Sequence, residues 1–111
     1  MPAPGARAEQ SAYRVLIVDD SAVVRQALRE IIESDPSLEV MGAVGDPYAA
    51  AQKIRHETPD AIILDLEMPK MDGLTFLRKL MAQHPLPVVV CSSHASANSE
   101  ILVKARLAGA V

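Results

Sequence analysis

With 111 residues, 50% of them hydrophobic, the chain has the size of one domain and enough apolar side chains for a core of its own. Aromatic residues make up only 3%, Trp is absent and the net charge is -3, which argues against a base-stacking platform and against a basic face for a nucleic-acid backbone. The single cysteine, Cys91, excludes an intrachain disulfide framework and fits a cytoplasmic location, and no apolar run approaches the roughly 18 residues of a membrane span.

Residues 1–12 hold Pro, Ala, Gly and Ser without a signal-peptide core and read as a flexible tail before a domain spanning 13–111. Tyr13–Val18 is a short, nearly all-apolar run, as expected of a strand covered on both faces, and it ends on Asp19-Asp20. Ser21 or Asp20 caps a helix in which Val24, Ala27, Leu28, Ile31 and Ile32 face the core, with Arg25, Arg29, Glu30 and Glu33 on the other side. Asp35-Pro36 stops it.

Leu38–Val44 alternates through Glu39 and Gly42 and reads as an edge strand. Asp46 caps the next helix with Pro47 as its first residue, and the helix runs from Tyr48 to about His56. Ala61–Leu64 is a third strand, ending on Asp65 and followed by loop residues Met68-Pro69 and Asp72-Gly73. Asp72 caps a third helix that turns Leu74, Leu77, Leu80 and Met81 to the core. Val88 to Cys91 is a fourth strand ending on Ser92-Ser93, and Ser99 to about Ala108 a fourth helix stopped by Gly109. Strand and helix alternate four times with short connections, which predicts a parallel sheet with right-handed crossovers, a doubly wound α/β fold.

If the first and third strands are neighbours, Asp19, Asp20, Asp65, Ser92 and Ser93 meet at one edge of the sheet, where such folds bind ligands. One Asp after a strand is ordinarily a cap or an Asx turn. Three carboxylates together are different, because two like charges about 4 Å apart repel by roughly 1 kcal/mol in water and about 4 kcal/mol at a partly shielded surface. A hard divalent cation relieves that repulsion, and Mg²⁺ suits a site of one or two carboxylates, waters and a phosphate oxygen. Beside such an ion Asp65 can attack phosphorus to form an aspartyl phosphate, with the Ser92 hydroxyl and the Ser93 backbone N–H as anion donors. No Ser-His-Asp set, Gly-rich phosphate loop or zinc-ligand spacing is present.

Val18-Asp19-Asp20-Ser21, the run from Leu64 to Gly73 and Val88 to Ser93, in that order, resemble the receiver domains of two-component response regulators. Glu67-Met68-Pro69, the run from Gly73 to Met81, Ser92-Ser93 and Asp46-Pro47 are most similar to the regulatory domain of the chemotaxis protein-glutamate methylesterases. The resemblance implies a flavodoxin-like fold with strand order 2-1-3-4-5, the order of a receiver-family chemotaxis protein. It further implies that Asp65 accepts a phosphoryl group from a sensor histidine kinase. Asp20, Asp65 and the Glu67 backbone carbonyl would ligate Mg²⁺, Asp19 would act through a metal-bound water, and Ser92 would be the switching hydroxyl. Through the longer protein it implies a C-terminal methylesterase domain and chemoreceptors as partners.

The chain departs from that pattern by stopping before the fifth strand, the Lys-Pro of the preceding loop and the fifth helix; Lys104 falls within the fourth helix. An incomplete receiver is therefore expected, with the Val88 to Cys91 strand as an exposed edge open to self-association and the first helix short of cover. Cys91 reads as a small buried residue and the Met residues as packing, while His94 is an exposed loop residue or a contact for the water that hydrolyses the acyl phosphate. Two further functions stay open on the residues: a Mg²⁺-dependent phosphohydrolase with an aspartyl-phosphate intermediate, and an interaction module that works without phosphorylation.

Overall fold

The structure, a computed structural model, describes residues 12–66 and 73–90. Its elements in chain order are β1 (Tyr13–Val18), α1 (Ala22–Glu33), β2 (Leu38–Val44), α2 (Pro47–His56), β3 (Ala61–Leu64), α3 (Gly73–Gln83) and β4 (Val88–Val90). The strands form one parallel sheet in the order β2-β1-β3-β4, the flavodoxin-like arrangement of a receiver with β2 at an edge. The expected Asp72 cap, the Cys91 end of the fourth strand, the fourth helix, Lys104 and His94 lie outside the described residues.

Alternation along the strands divides the core between the two sheet faces. Leu16 and Val18 of β1 and Ile62 and Leu64 of β3 pack with Ala50 and Ile54 of α2 and Leu74, Phe76, Leu77 and Leu80 of α3. Val15 and Ile17 point the other way, onto Ile32 of α1, with Leu28, Val40 and Ile63 around them. A one-residue bulge opposite Val15 and Leu16 places Gly42 beside Leu16, where a Cβ would meet the Lys53 side chain at 2.7 Å. A side chain there would push the flexible end of Lys53 aside.

The helix starts follow their sequence signals. The Ser21 hydroxyl accepts from the Val24 N–H at 3.2 Å, so Ser21 rather than Asp20 caps α1. Asp46 accepts from the Ala49 N–H at 2.9 Å with Pro47 in the first turn. In α3, Leu74, Leu77 and Leu80 are buried as expected; so is Phe76, which the leucine spacing alone leaves out.

The buried face of α1 differs from the expected one. Ile32 is buried and Leu28 half-buried, but Ile31 is 66% exposed and Ala27 is exposed as well. The helix packs mainly on β2, so its inward stripe runs through Arg25, Leu28 and Ile32, at spacings of three and four. Successive residues turn by about 100°, which carries Val23, Ala27 and Ile31 off that stripe. Together with Val89 of β4, 47% exposed, they leave apolar surface open among the described residues.

Between α1 and β2, Asp35 accepts from the Ser37 hydroxyl at 2.7 Å and the Ser37 N–H at 2.8 Å. The hydroxyl bond first, and the N–H bond second, hold this exposed carboxyl below its ordinary value of 3.8. Since the folded pKa is the lower one, the turn's contribution to stability is full above the unfolded value and is lost as pH falls through the folded one. Ser37→Ala removes the larger cause, so the Asp35 titration midpoint, read from its side-chain carbon shifts, is expected to move up toward 3.8. An unchanged midpoint would contradict the assignment.

Candidate functional site

Three acidic side chains meet beyond the carboxyl ends of β1 and β3, and strand register is what joins them. Ile17 pairs with Ile63 across β1 and β3, and Asp19 and Asp65 each lie two residues further along their strands. Side chains two apart share a face, so both carboxylates arise on the α1 side of the sheet. The Asp65 N–H donates to the Val18 carbonyl at 2.9 Å, and the Asp19 N–H to the Val44 carbonyl at 3.0 Å, which ties the end of β1 to both neighbouring strands. Asp20 follows Asp19 into the turn that starts α1.

One carboxylate oxygen from each of Asp19, Asp20 and Asp65 lies within 4.8 Å of the others. Asp19 and Asp65 are buried, at 5% and 7% exposure, while Asp20 is exposed and keeps the group open to solvent. The Ser21 N–H donates to Asp19 Oδ1 at 2.9 Å, which orients that carboxylate toward the start of the helix. An all-oxygen donor set of this charge and span, open on one side, fits a hard cation that keeps waters, as Mg²⁺ does, and offers nothing to a soft metal. The expected Asp19, Asp20 and Asp65 are thus brought together. Glu67, Ser92 and Ser93 lie outside the described residues.

One residue at the site, Arg25, lies on the inward side of α1 and not on the solvent side expected from its charge. Arg25 donates from its guanidinium Nη1 to the Asp19 backbone carbonyl at 2.7 Å. The available signal was its position three residues before Leu28 and seven before Ile32, which puts it on the buried stripe instead of the solvent face. A cation on that stripe one turn from the strand end needs a polar partner.

A separate cleft of about 480 Å³ lies between α2 and α3, lined by Tyr48, Ile54, Arg55, Phe76, Lys79 and His84 among others and by none of the three aspartates. Ile54, Phe76 and Leu80 give it apolar walls, and the acidic cluster found among the described residues does not reach it.

Comparison with known proteins agrees with this geometry. The response regulator receiver domain family matches residues 15–111. Protein-glutamate methylesterase/protein-glutamine glutaminase 5 of Anaeromyxobacter dehalogenans is 62% identical over 98 residues, 88% of this chain and 27% of that protein. The corresponding enzyme 2 of Rhodospirillum rubrum is 63% identical over the same length, again 27% of the relative, so the chain spans about a quarter of these relatives. Among solved structures, the response regulator domain of Thermotoga maritima CheB superposes with a TM-score of 0.84 at 38% identity, covering 90% of this chain and 75% of that one. CheY6 of R. sphaeroides, solved in a complex with the P1 domain of CheA3, is matched in a structure with a TM-score of 0.75 at 35% identity, covering 90% and 78%. A parallel sheet in this strand order, aspartates gathered at the ends of its first and third strands and a family match over nearly the whole chain lead to one assignment: the chain belongs to the response regulator receiver domains, of the kind found in chemotaxis protein-glutamate methylesterases.

Proposed function

We propose that this receiver is the phosphoacceptor switch of a chemotaxis regulator, with Asp65 as the residue that takes the phosphoryl group. The observation that carries the reading is the gathering of Asp65 with Asp19 and Asp20 within 4.8 Å at the open end of the sheet. An Asp65 carboxylate oxygen attacks the phosphorus of a phosphohistidine. The P–N bond breaks, its electron pair stays on the imidazole, which then takes a proton from solvent, and an acyl phosphate remains on Asp65. Attack of water on that phosphorus later returns the carboxylate and releases inorganic phosphate.

Asp20, Asp65 and the Glu67 carbonyl are the residues that would hold Mg²⁺, with Asp19 acting through a bound water. Bound there, the ion supplies positive charge against the phosphoryl oxygens. Asp19 is suited to a positioning part, since Ser21 and Val44 hold its carboxylate and its N–H. The Ser92 hydroxyl and the Ser93 N–H are proposed to bind the phosphoryl oxygens, Ser92 moving toward them after transfer. The acidic site at the surface then changes net charge and shape, which biases a two-state element.

The names of the relatives support a protein-glutamate methylesterase domain outside these residues as the element controlled; chemoreceptors as partners of the longer protein are part of the proposal. The matched CheY6 complex with a CheA3 P1 domain supports a chemotaxis histidine kinase as the donor. Among the described residues no helix is long and apolar enough to cross a membrane; a cytoplasmic site of action is part of the proposal. Incubation with acetyl phosphate and Mg²⁺ followed by intact-mass measurement tests it. One phosphoryl adduct is expected, and its absence under conditions where the protein is folded would overturn the reading.

A further inference from the structure

We propose that Arg25 is the positioning residue of the acidic site, a clamp that fixes the Asp19-Asp20 turn, and that Gly45 is kept free of a side chain to seat it. The inference rests on the metal and phosphoacceptor reading above. Three observations carry it. The Arg25 guanidinium donates to the Asp19 carbonyl at 2.7 Å, from a helix position on the inward stripe. A Cβ built on Gly45 would lie 3.1 Å from Arg25 Nη1 and 3.8 Å from its Cζ, and it would meet no other described group within 4 Å outside its chain neighbours. Asp19 is otherwise held by the Val44 carbonyl on its N–H and the Ser21 N–H on its carboxylate. Its carbonyl is thus the remaining backbone group of Asp19, and it is the group that Arg25 takes.

The chemistry of the guanidinium suits this place. Its planar fork fits a tight seat against a glycine backbone, and a charged donor makes a short bond to a carbonyl. Bonding to the Asp19 carbonyl means that this guanidinium contact occupies no carboxylate oxygen of the acidic site. Lys at this position would keep the charge but lose the flat shape that the Gly45 seat accommodates.

Charge and geometry act in opposite directions here, and this decides the experiment. Removing Arg25 takes a positive charge away from the site and by itself favours a cation, while loosening the turn disfavours it. Gly45→Val separates the two, because it crowds the guanidinium without changing any charge. Outer groups that orient metal ligands typically set affinity by about 10- to 100-fold. Gly45→Val is accordingly expected to weaken Mg²⁺ binding, measured by calorimetry, about tenfold. The milder Gly45→Ala should move it in the same direction, and serves if the valine variant folds poorly. In an Arg25→Ala background the same Gly45 changes should have no effect on Mg²⁺ affinity, since the group they displace is gone.

A second readout needs no metal. In ion-free protein, Arg25→Ala should shift and speed the exchange of the Asp20 and Ser21 amides in nitrogen-15 spectra, while amides of β3 and α2 stay in place; Arg25→Lys should restore them in part. Unchanged Asp20 and Ser21 amides in Arg25→Ala would overturn the clamp whatever the metal does. So would Gly45 substitutions that act equally with and without Arg25. Failure of the wild type to bind Mg²⁺, with the amide changes as expected, would instead count against the metal reading and leave Arg25 as the residue that shapes the turn.

Discussion

Asp65→Asn is expected to lose the phosphoryl adduct that the wild-type chain forms with acetyl phosphate and Mg²⁺, with labelling reduced by about 10³-fold or more, the scale on which removing a nucleophile acts. The substitution changes one oxygen to nitrogen and leaves the shape of the side chain, so the loss would report chemistry and not packing. Asp65 is 7% exposed and its N–H is fixed to the Val18 carbonyl, which keeps an amide in the same place. Asp20→Asn and Asp19→Asn keep the nucleophile and should slow labelling without abolishing it, by lowering metal affinity and by unsettling the turn. Circular dichroism establishes that each variant is folded at the assay temperature. Persistent labelling in Asp65→Asn would move the phosphoacceptor elsewhere, with Asp20, the exposed member of the three, as the next residue to test.

How much of this site could be read from the sequence depends on what each residue's role rests upon. Asp19 and Asp65 were legible because strand alternation is local: each follows an apolar run, and parallel pairing of the two runs suffices to bring them together. The caps at Ser21 and Asp46 were legible for the same reason, since the acceptor and the N–H it serves are three residues apart. Arg25 was misplaced because its role depends on where α1 sits over the sheet. The apolar residues Ala27 and Ile31 argued for a different inward face, and only the lateral position of the helix, over β2, settles that the stripe runs through Arg25, Leu28 and Ile32. Phe76 was left out for a related reason: the leucines of α3 already supplied a full helical period, and nothing local says that the face is wide enough to bury a ring beside them. Ser92 and Ser93 stand on their place after the fourth apolar run and on the family pattern, and Glu67 on the family pattern alone.

Mg²⁺ is expected to stabilise the fold strongly, and the response should pass through the three aspartates. A ligand that binds only the folded chain adds about 2.7 kcal/mol at a concentration a hundredfold above its dissociation constant. For a domain of this size 1 kcal/mol moves the thermal midpoint by about 4–8 °C, so a rise on the order of 10–20 °C follows. Asp20→Asn offers the sharper test, because it should change the midpoint in opposite directions with and without the ion. With its oxygens within 4.8 Å of two other carboxylates, the Asp20 charge meets a repulsion of about 1 kcal/mol from each even at the dielectric constant of water. Its favourable interaction with the nearby N-terminus of α1 is worth about 0.3–1 kcal/mol, so the repulsion wins. Without Mg²⁺ the variant should therefore melt a few degrees above the wild type. At saturating Mg²⁺ for the wild type it should melt below it, having lost one of its carboxylate ligands. Thermal scans followed by circular dichroism, with and without Mg²⁺, would show the two curves changing order. A variant lower than the wild type in both conditions would mean that Asp20 serves the turn and not the cation. Equal shifts with Mg²⁺ in both proteins would mean that Asp20 is not among the ligands of the ion.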